Sequence, residues 1–179
     1  ENTVAMVDIN NLKSTDWYAI SKLYAEAKHR SMPELSIVDV RVFNYFSHTQ
    51  NMNARFLITD IVRAIKNKEV FETSADNIVR DFITPPDFYR LIQAIIDFNP
   101  INTALDCYTK APVSKFDLLN GLKSEFELRY EIDKDVDIVN ATGVKSKYYS
   151  LNKTVKSMNY SPKNTSLKSI IKEINLMLK

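Results

Sequence analysis

At 179 residues, with 45% hydrophobic and 26% charged side chains, the chain has the make-up of a soluble globular protein long enough to bury a sizeable core. A net charge of only +2, with lysines spread along the sequence, does not imply nucleic acid. The longest apolar runs, such as "LIQAIIDF", reach about half the ~20 residues of a membrane span, and no apolar signal region opens the chain, so a cytoplasmic protein with no membrane partner is expected. Ser14, Thr15 or Asp16 can cap a first helix running to about Arg30, with Ile20, Leu23, Tyr24 and Ala27 on one apolar face; Met32-Pro33 ends it. "LSIVDVRVFN" is a near-continuous β-branched run that suits a strand buried on both faces of a parallel sheet. "NMNARFLITDIVRAIKNK" reads as a helix with Phe56, Ile61 and Ile65 on its apolar face. "EVFET" and "VRDFI" are short strand candidates, and Pro85-Pro86 opens the helix "DFYRLIQAIIDF". "TALDCYT" is a further strand. Ser114 with Asp117 forms a capping box for a helix to about Phe126, and "ELRYEI" follows as a strand. The tail carries two helices, about 152–158 and 167–178, and the pattern is α/β throughout.

Cys107 is the single cysteine, which excludes an internal disulfide and a Cys-rich metal site; its setting "ALDCYT" points to a buried structural thiol. His29 and His48 are too few for a His-based centre, so no metal is expected. Only two glycines occur, Gly121 and Gly143, and neither sits in a loop where a backbone freed of Cβ could cradle phosphate. The chain therefore carries no GxGxxG or P-loop of its own. Its start, "ENTVAMVDINN" without an initiating methionine, suggests a fragment. A Tyr followed four places later by Lys occurs four times, at Tyr18/Lys22, Tyr24/Lys28, Tyr130/Lys134 and Tyr149/Lys153. Spacing alone does not choose among them.

Order along the chain does. "WYAISKLYAE", then "VDVRVFN", then "VRDFI" before a helix, then "SLNKTVKSMNYSPKNTSL" before a final helix resembles the extended short-chain dehydrogenase/reductase family of NAD-dependent epimerases and dehydratases. The resemblance covers nearly the whole chain. It implies an α/β fold in which the chain is the C-terminal portion of a Rossmann-type fold interleaved with a small α/β substrate-binding domain. Residues 1–50 would end the Rossmann-type domain and carry the Tyr-x-x-x-Lys helix; residues 51–179 would be mainly substrate-binding, with 80–110 returning to the Rossmann-type sheet. NAD or NADP is the implied cofactor, a nucleotide-activated sugar the implied substrate, and a homodimer an implied assembly. The implied activity of the intact protein is epimerisation, dehydration or reduction of that sugar; the alternative is a non-catalytic binding or structural member of the same fold. The family's N-terminal dinucleotide-binding half, with its Gly-rich loop, and the segment bearing its catalytic Ser or Thr are absent from these 179 residues.

Within the resemblance, Tyr18 and Lys22 are the catalytic and cofactor-binding pair, because Ser21 and Glu26 occupy the family's positions around them. Residues four apart share a helix face, so a Lys ammonium can stand near a phenol and still reach a cofactor ribose. A unit charge at ~4 Å in an effective dielectric of about 20 is worth about 4 kcal/mol. That is roughly what brings a phenol from a pKa of ~10 to ~7. Tyr24/Lys28 reads as a core aromatic with a solvated Lys. Asn44, ending "RVFN", resembles the Asn that hydrogen-bonds the substrate's diphosphate or sugar, a turn-forming Asn being the alternative. Arg80 resembles the Arg that grips the diphosphate, which suits its fork of donors; a surface salt bridge to Asp81 or Asp76 is the alternative. Asn53 either contacts the diphosphate or base, or caps the helix after it. The chain departs from the family with "YFSHTQ" in place of Gly-Pro, Ser150 for the late Asp and "SMNY" for Leu-Gly-Trp.

The glycine count generates a first expectation. Calorimetric titration of the 179-residue chain with NAD or NADP should show no micromolar binding. Micromolar binding contradicts it and means that other backbone holds the phosphates.

Overall fold

The computed structural model of the chain describes residues 8–14, 16–133 and 146–179. Helix α1 (Asp16–Arg30) leads into β1 (Val38–Arg41) and the two-residue β2 (Asn44–Tyr45); α2 (Leu57–Asn67) is followed by β3 (Val70–Thr73), β4 (Val79–Arg80) and β5 (Phe82–Ile83). Then come α3 (Pro85–Ile96), β6 (Thr103–Asp106), β7 (Val113–Ser114), α4 (Lys115–Phe126), β8 (Arg129–Ile132), β9 (Lys147–Tyr148), a 3-10 turn (Thr154–Met158) and α5 (Ser166–Met177). β1 pairs with β6, β2 with β5 and β3 with β8, all parallel. β4 lies between β9, parallel, and β7, antiparallel. Parallel pairs need long crossovers, and the helices between the paired strands supply them. The mixed α/β architecture expected from the sequence is the one that forms.

Two apolar clusters hold these elements together. The first gathers Ile58, Ile61 and Val62 of α2, Leu118, Leu119 and Leu122 of α4, and Ile170 and Ile174 of α5. The second gathers Leu91 of α3, Leu105 of β6, Cys107, and Val155 and Met158 of the 3-10 turn. Strand β5 serves both: Phe82 belongs to the first cluster and Ile83 to the second, because successive side chains of a strand leave opposite faces.

Asp81, just before β5, is 3% exposed. Its carboxylate accepts the Thr109 N–H at 2.9 Å, the Thr109 hydroxyl at 2.5 Å and the Ser166 hydroxyl at 2.7 Å. Ser166 Oγ in turn accepts the Phe82 N–H at 2.8 Å. The segment that follows β6, the start of α5 and β5 are thus tied at one point. Lower in the first cluster, α4 and α5 approach so closely at Gly121 that a Cβ there would lie 2.8 Å from Leu167 Cδ1.

Several local expectations hold. α1 ends at Arg30, ahead of Met32-Pro33, and Pro85 opens α3. Ser114 Oγ accepts the Asp117 N–H at 3.1 Å and donates to the Asp117 carboxylate at 2.6 Å, capping α4. Others fail for identifiable reasons. "LSIVDVRVFN" is two short strands, not one buried strand, because Asp39 and Arg41 alternate with the valines and turn to α1. α2 begins only at Leu57; Phe56 precedes it, exposed, with its N–H donated to Thr59 Oγ1 at 3.1 Å. "VRDFI" is broken at Asp81 by the bonds just described. The first tail helix is a 3-10 turn. Thr15, Lys134 and Gly143 lie outside the described residues.

The largest departure is α1. It has no buried residue, and Trp17, Leu23 and Tyr24 are exposed, Tyr24 by 70%. Polar ties dock it instead: Arg41 donates to Glu26 at 2.8 and 2.5 Å, His29 and Arg30 meet Asp39 at 2.8 and 2.9 Å, and the Asn102 amide donates to the carbonyls of His29 and Met32. The hydrogen bond from Arg41 holds the Glu26 carboxyl below its ordinary pKa.

Cys107 is buried, and that burial, with the charges of Asp106 and Asp81 adding to it, pushes its thiol up to about 12. The structural role expected for it fits. Ellman's reagent at pH 8 should therefore label the native chain at least ~100-fold more slowly than the denatured chain. Equal rates would place the thiol at the surface. For Asp81, truncation to Ala leaves buried donors without an acceptor, and urea unfolding should show a loss of about 3 kcal/mol. A loss under ~0.5 kcal/mol, the level of an unremarkable surface change, would remove Asp81 from its central place.

Candidate functional site

Tyr18 and Lys22 stand on successive turns of α1, both exposed. The Lys22 ammonium lies 5.4 Å from the centre of the Tyr18 ring, and Ser21 Oγ donates to the Tyr18 carbonyl at 2.8 Å. The pair is thus local to the helix, as its spacing requires, and open to a ligand from the solvent side.

Arg80 ends β4, where its strand partners are Val113 on one side and Tyr148 on the other. Its Nη1 donates to the Val79 carbonyl at 2.9 Å, and its guanidinium carbon is 6.0 Å from the Tyr148 ring centre. Burial pulls the Arg80 pKa down, opposed by Tyr148. The salt bridge to Asp81 weighed from the sequence does not form, because Asp81 faces the opposite way and is held by Thr109 and Ser166. Asp76 acts electrostatically on Lys115, a side chain 2% exposed whose ammonium donates to the Ser74 carbonyl at 2.6 Å.

Tyr148 links the two halves of the site, and the sequence did not single it out. Its ring meets Phe43 edge to face at 5.1 Å. Burial raises its phenol pKa most; the neighbouring Tyr18 adds to this and Arg80 opposes it. Tyr18 and Arg80, remote in sequence, therefore both lie close enough to Tyr148 to act on its charge. A signal existed in the doublet Tyr148-Tyr149, one residue of which must face away from the other along a strand. At Tyr149/Lys153 the spacing has no functional meaning, as its structural reading implies: Lys153 lies over the Tyr108 ring at 3.6 Å and donates to the Ser150 carbonyl at 3.1 Å.

Asn44 opens β2 beside Phe82, and its amide donates to the Asp81 carbonyl at 3.2 Å. It begins a strand and does not simply turn the chain. One residue from Phe43 and hydrogen-bonded next to Arg80, it joins the same neighbourhood. Asn53 sits exposed in a turn, its N–H donated to Asn51 Oδ1 at 2.9 Å, and the turn is tied to α2 through Arg63 and the Met52 and Ala54 carbonyls. It does not cap α2, which starts three residues beyond Ala54. Tyr24, expected in a core, is exposed. Tyr130 donates its hydroxyl to Asn120 Oδ1 at 2.9 Å. No group of three or more His, Cys, Asp or Glu side chains that could hold a metal ion occurs among the described residues, and no helix there is long and apolar enough to cross a membrane.

No protein-family model and no curated protein matches the chain by sequence. Solved structures match by fold. A UDP-glucuronic acid 4-epimerase from Bacillus cereus, solved with UDP-glucuronic acid and NAD, superposes on 99% of this chain and 58% of its own, with a TM-score of 0.75 and 15% identity. A UDP-N-acetylglucosamine 4-epimerase from Bacillus cereus gives 97%, 59%, 0.73 and 14% for the same quantities. A dTDP-glucose 4,6-dehydratase from Bacillus anthracis, solved with NAD, gives 98%, 56%, 0.70 and 14%. The chain thus spans less than two thirds of these structures. Its fold is that of the corresponding part of these epimerase and dehydratase structures.

Proposed function

We propose that the chain is the substrate-facing part of an NAD(P)-dependent enzyme that epimerises, dehydrates or reduces a nucleotide-activated sugar. The observation that supports this most is the position of Tyr148, in contact with Arg80 and electrostatically coupled to Tyr18. A candidate proton-transfer group and a candidate phosphate-gripping group thereby both act on the charge of one aromatic side chain. In this reading residues 1–50 and 80–110, whose strands β1 and β6 pair, belong to the dinucleotide-binding sheet, and most of 51–179 serves the substrate. A homodimer and a cytoplasmic location belong to the same reading.

Tyr18 exchanges a proton with the sugar hydroxyl at the carbon being oxidised, and the Lys22 ammonium stabilises the phenolate that results. Their exposure on one side of α1 fits a ligand arriving there, and Lys22 would also hold a cofactor ribose. NAD or NADP, when bound, supplies the acceptor and donor of hydride. Arg80 holds the diphosphate through two parallel N–H bonds. Asn44 uses one amide N–H on Asp81, which leaves the other and its carbonyl oxygen for diphosphate or sugar. Asn53, on its exposed turn, would contact the diphosphate or base.

The test uses the protein that carries these residues together with a dinucleotide-binding half. Tyr18→Phe should lower turnover by ~10²–10⁴-fold while Tyr24→Phe changes it less than about twofold. Arg80→Lys should weaken nucleotide-sugar binding by roughly ten- to a hundredfold, with the melting temperature unchanged. Turnover of Tyr18→Phe within a few-fold of the parent would reject Tyr18 as the catalytic residue. Unchanged affinity in Arg80→Lys would take Arg80 out of the site.

A further inference from the structure

A cleft of about 380 Å³ lies between the outer face of α3 and the loop 158–163, and none of its lining residues belongs to the site around Tyr18, Asn44 and Arg80. The volume is that of a small-molecule site. Tyr89, Phe98 and Tyr160 give it aromatic walls, and Arg90 and Lys163 give it cations.

The walls are fixed. Asp87, fully buried in the first turn of α3, accepts the N–H groups of Lys163 and Asn164 at 3.0 and 3.3 Å, so the loop is pinned to the helix. The Tyr160 hydroxyl donates to the Tyr108 carbonyl at 2.9 Å beneath it. Arg90 bonds the same Asp87 through Nη2, yet its Nε is buried with no partner.

The late segment that supplies one wall of the cleft is strongly basic. From Ser146 to Lys179 the chain holds seven lysines and a single acid, Glu173, which is 3% exposed and bonded to His48. Two further cationic residues are drawn to the same loop: Lys172 donates to Asn164 Oδ1 at 3.0 Å, and the Lys110 backbone N–H donates to the Asn164 carbonyl. The one acid lining the cleft, Asp97, accepts from Gln93 at 2.8 Å.

We propose that this cleft binds a small aromatic phosphate of nucleoside-monophosphate size, its ring against Tyr89 and Phe98 and its phosphate held by Arg90 and Lys163. Arg and Lys together suit a phosphate, and aromatic rings suit a planar base. Titration of the chain with AMP, followed by amide NMR, tests it. AMP should shift resonances of α3 and of 158–163 with a dissociation constant below ~1 mM, and Lys163→Ala and Tyr89→Ala, both changes of exposed side chains, should each raise it at least about fivefold. Arg80→Lys should leave it unchanged. Inorganic phosphate should shift only the Lys163 and Asn164 region, and more weakly. Absence of shifts at ~10 mM AMP, equal affinity for phosphate alone, indifference to Lys163→Ala and Tyr89→Ala, or sensitivity to Arg80→Lys would each overturn the proposal.

Discussion

Asp81 is almost wholly buried, and among the described residues its carboxylate is met by hydroxyl and amide donors and by no cation. An ionised group out of water persists only where such donors replace its hydration. Here they come from Thr109 and Ser166, so satisfying one side chain brings together three segments distant in sequence. The residues on either side inherit their positions. Arg80 must face away from the carboxylate, toward Tyr148, while Phe82 and Ile83 are divided between the two apolar clusters. The candidate site and the two cores are thus fixed by the same local geometry.

α1 is held differently. Its apolar residues are on the surface, and its place against β1 depends on the ion pairs of Glu26 with Arg41 and of Arg30 with Asp39 and on the hydrogen bond between His29 and Asp39. Arg41 also reaches Asp106 at 3.2 Å, and Asp106 accepts from Ser150 at 2.6 Å, so the helix is connected to the late segment of the chain through polar links. Half-exposed pairs of this kind contribute little apiece, and their value is in direction. They set which side of α1, and so which side of Tyr18 and Lys22, looks outward.

How far the sequence revealed this follows the range of the interactions. Features governed by neighbours were readable: the Ser114 cap, the Pro85 helix start, the Tyr18/Lys22 spacing and the buried setting of Cys107. Features governed by partners far along the chain were not. Nothing near Asp81 announces that Thr109 and Ser166 will bind it, and nothing near Tyr148 announces Phe43 and Arg80. The run "LSIVDVRVFN" misled because apolar residues outnumber Asp39 and Arg41, although it is those two that decide where β1 faces. Asn53 lies in a turn whose own hydrogen bonds the sequence did not announce.

The close approach of α4 to α5 couples two positions that are far apart in the chain. At Gly121 there is room for a hydrogen and none for a methyl unless the tip of Leu167 withdraws. Leu167 follows Ser166, whose hydroxyl both donates to Asp81 and accepts from Phe82, so its backbone has little freedom to retreat. The accommodation must come from side-chain volume. Positions 121 and 167 therefore form an exchange pair in any lineage of this chain: growth at the first is tolerated when the second shrinks, as in Ala with Val, and the pair should drift together while the helices stay where they are.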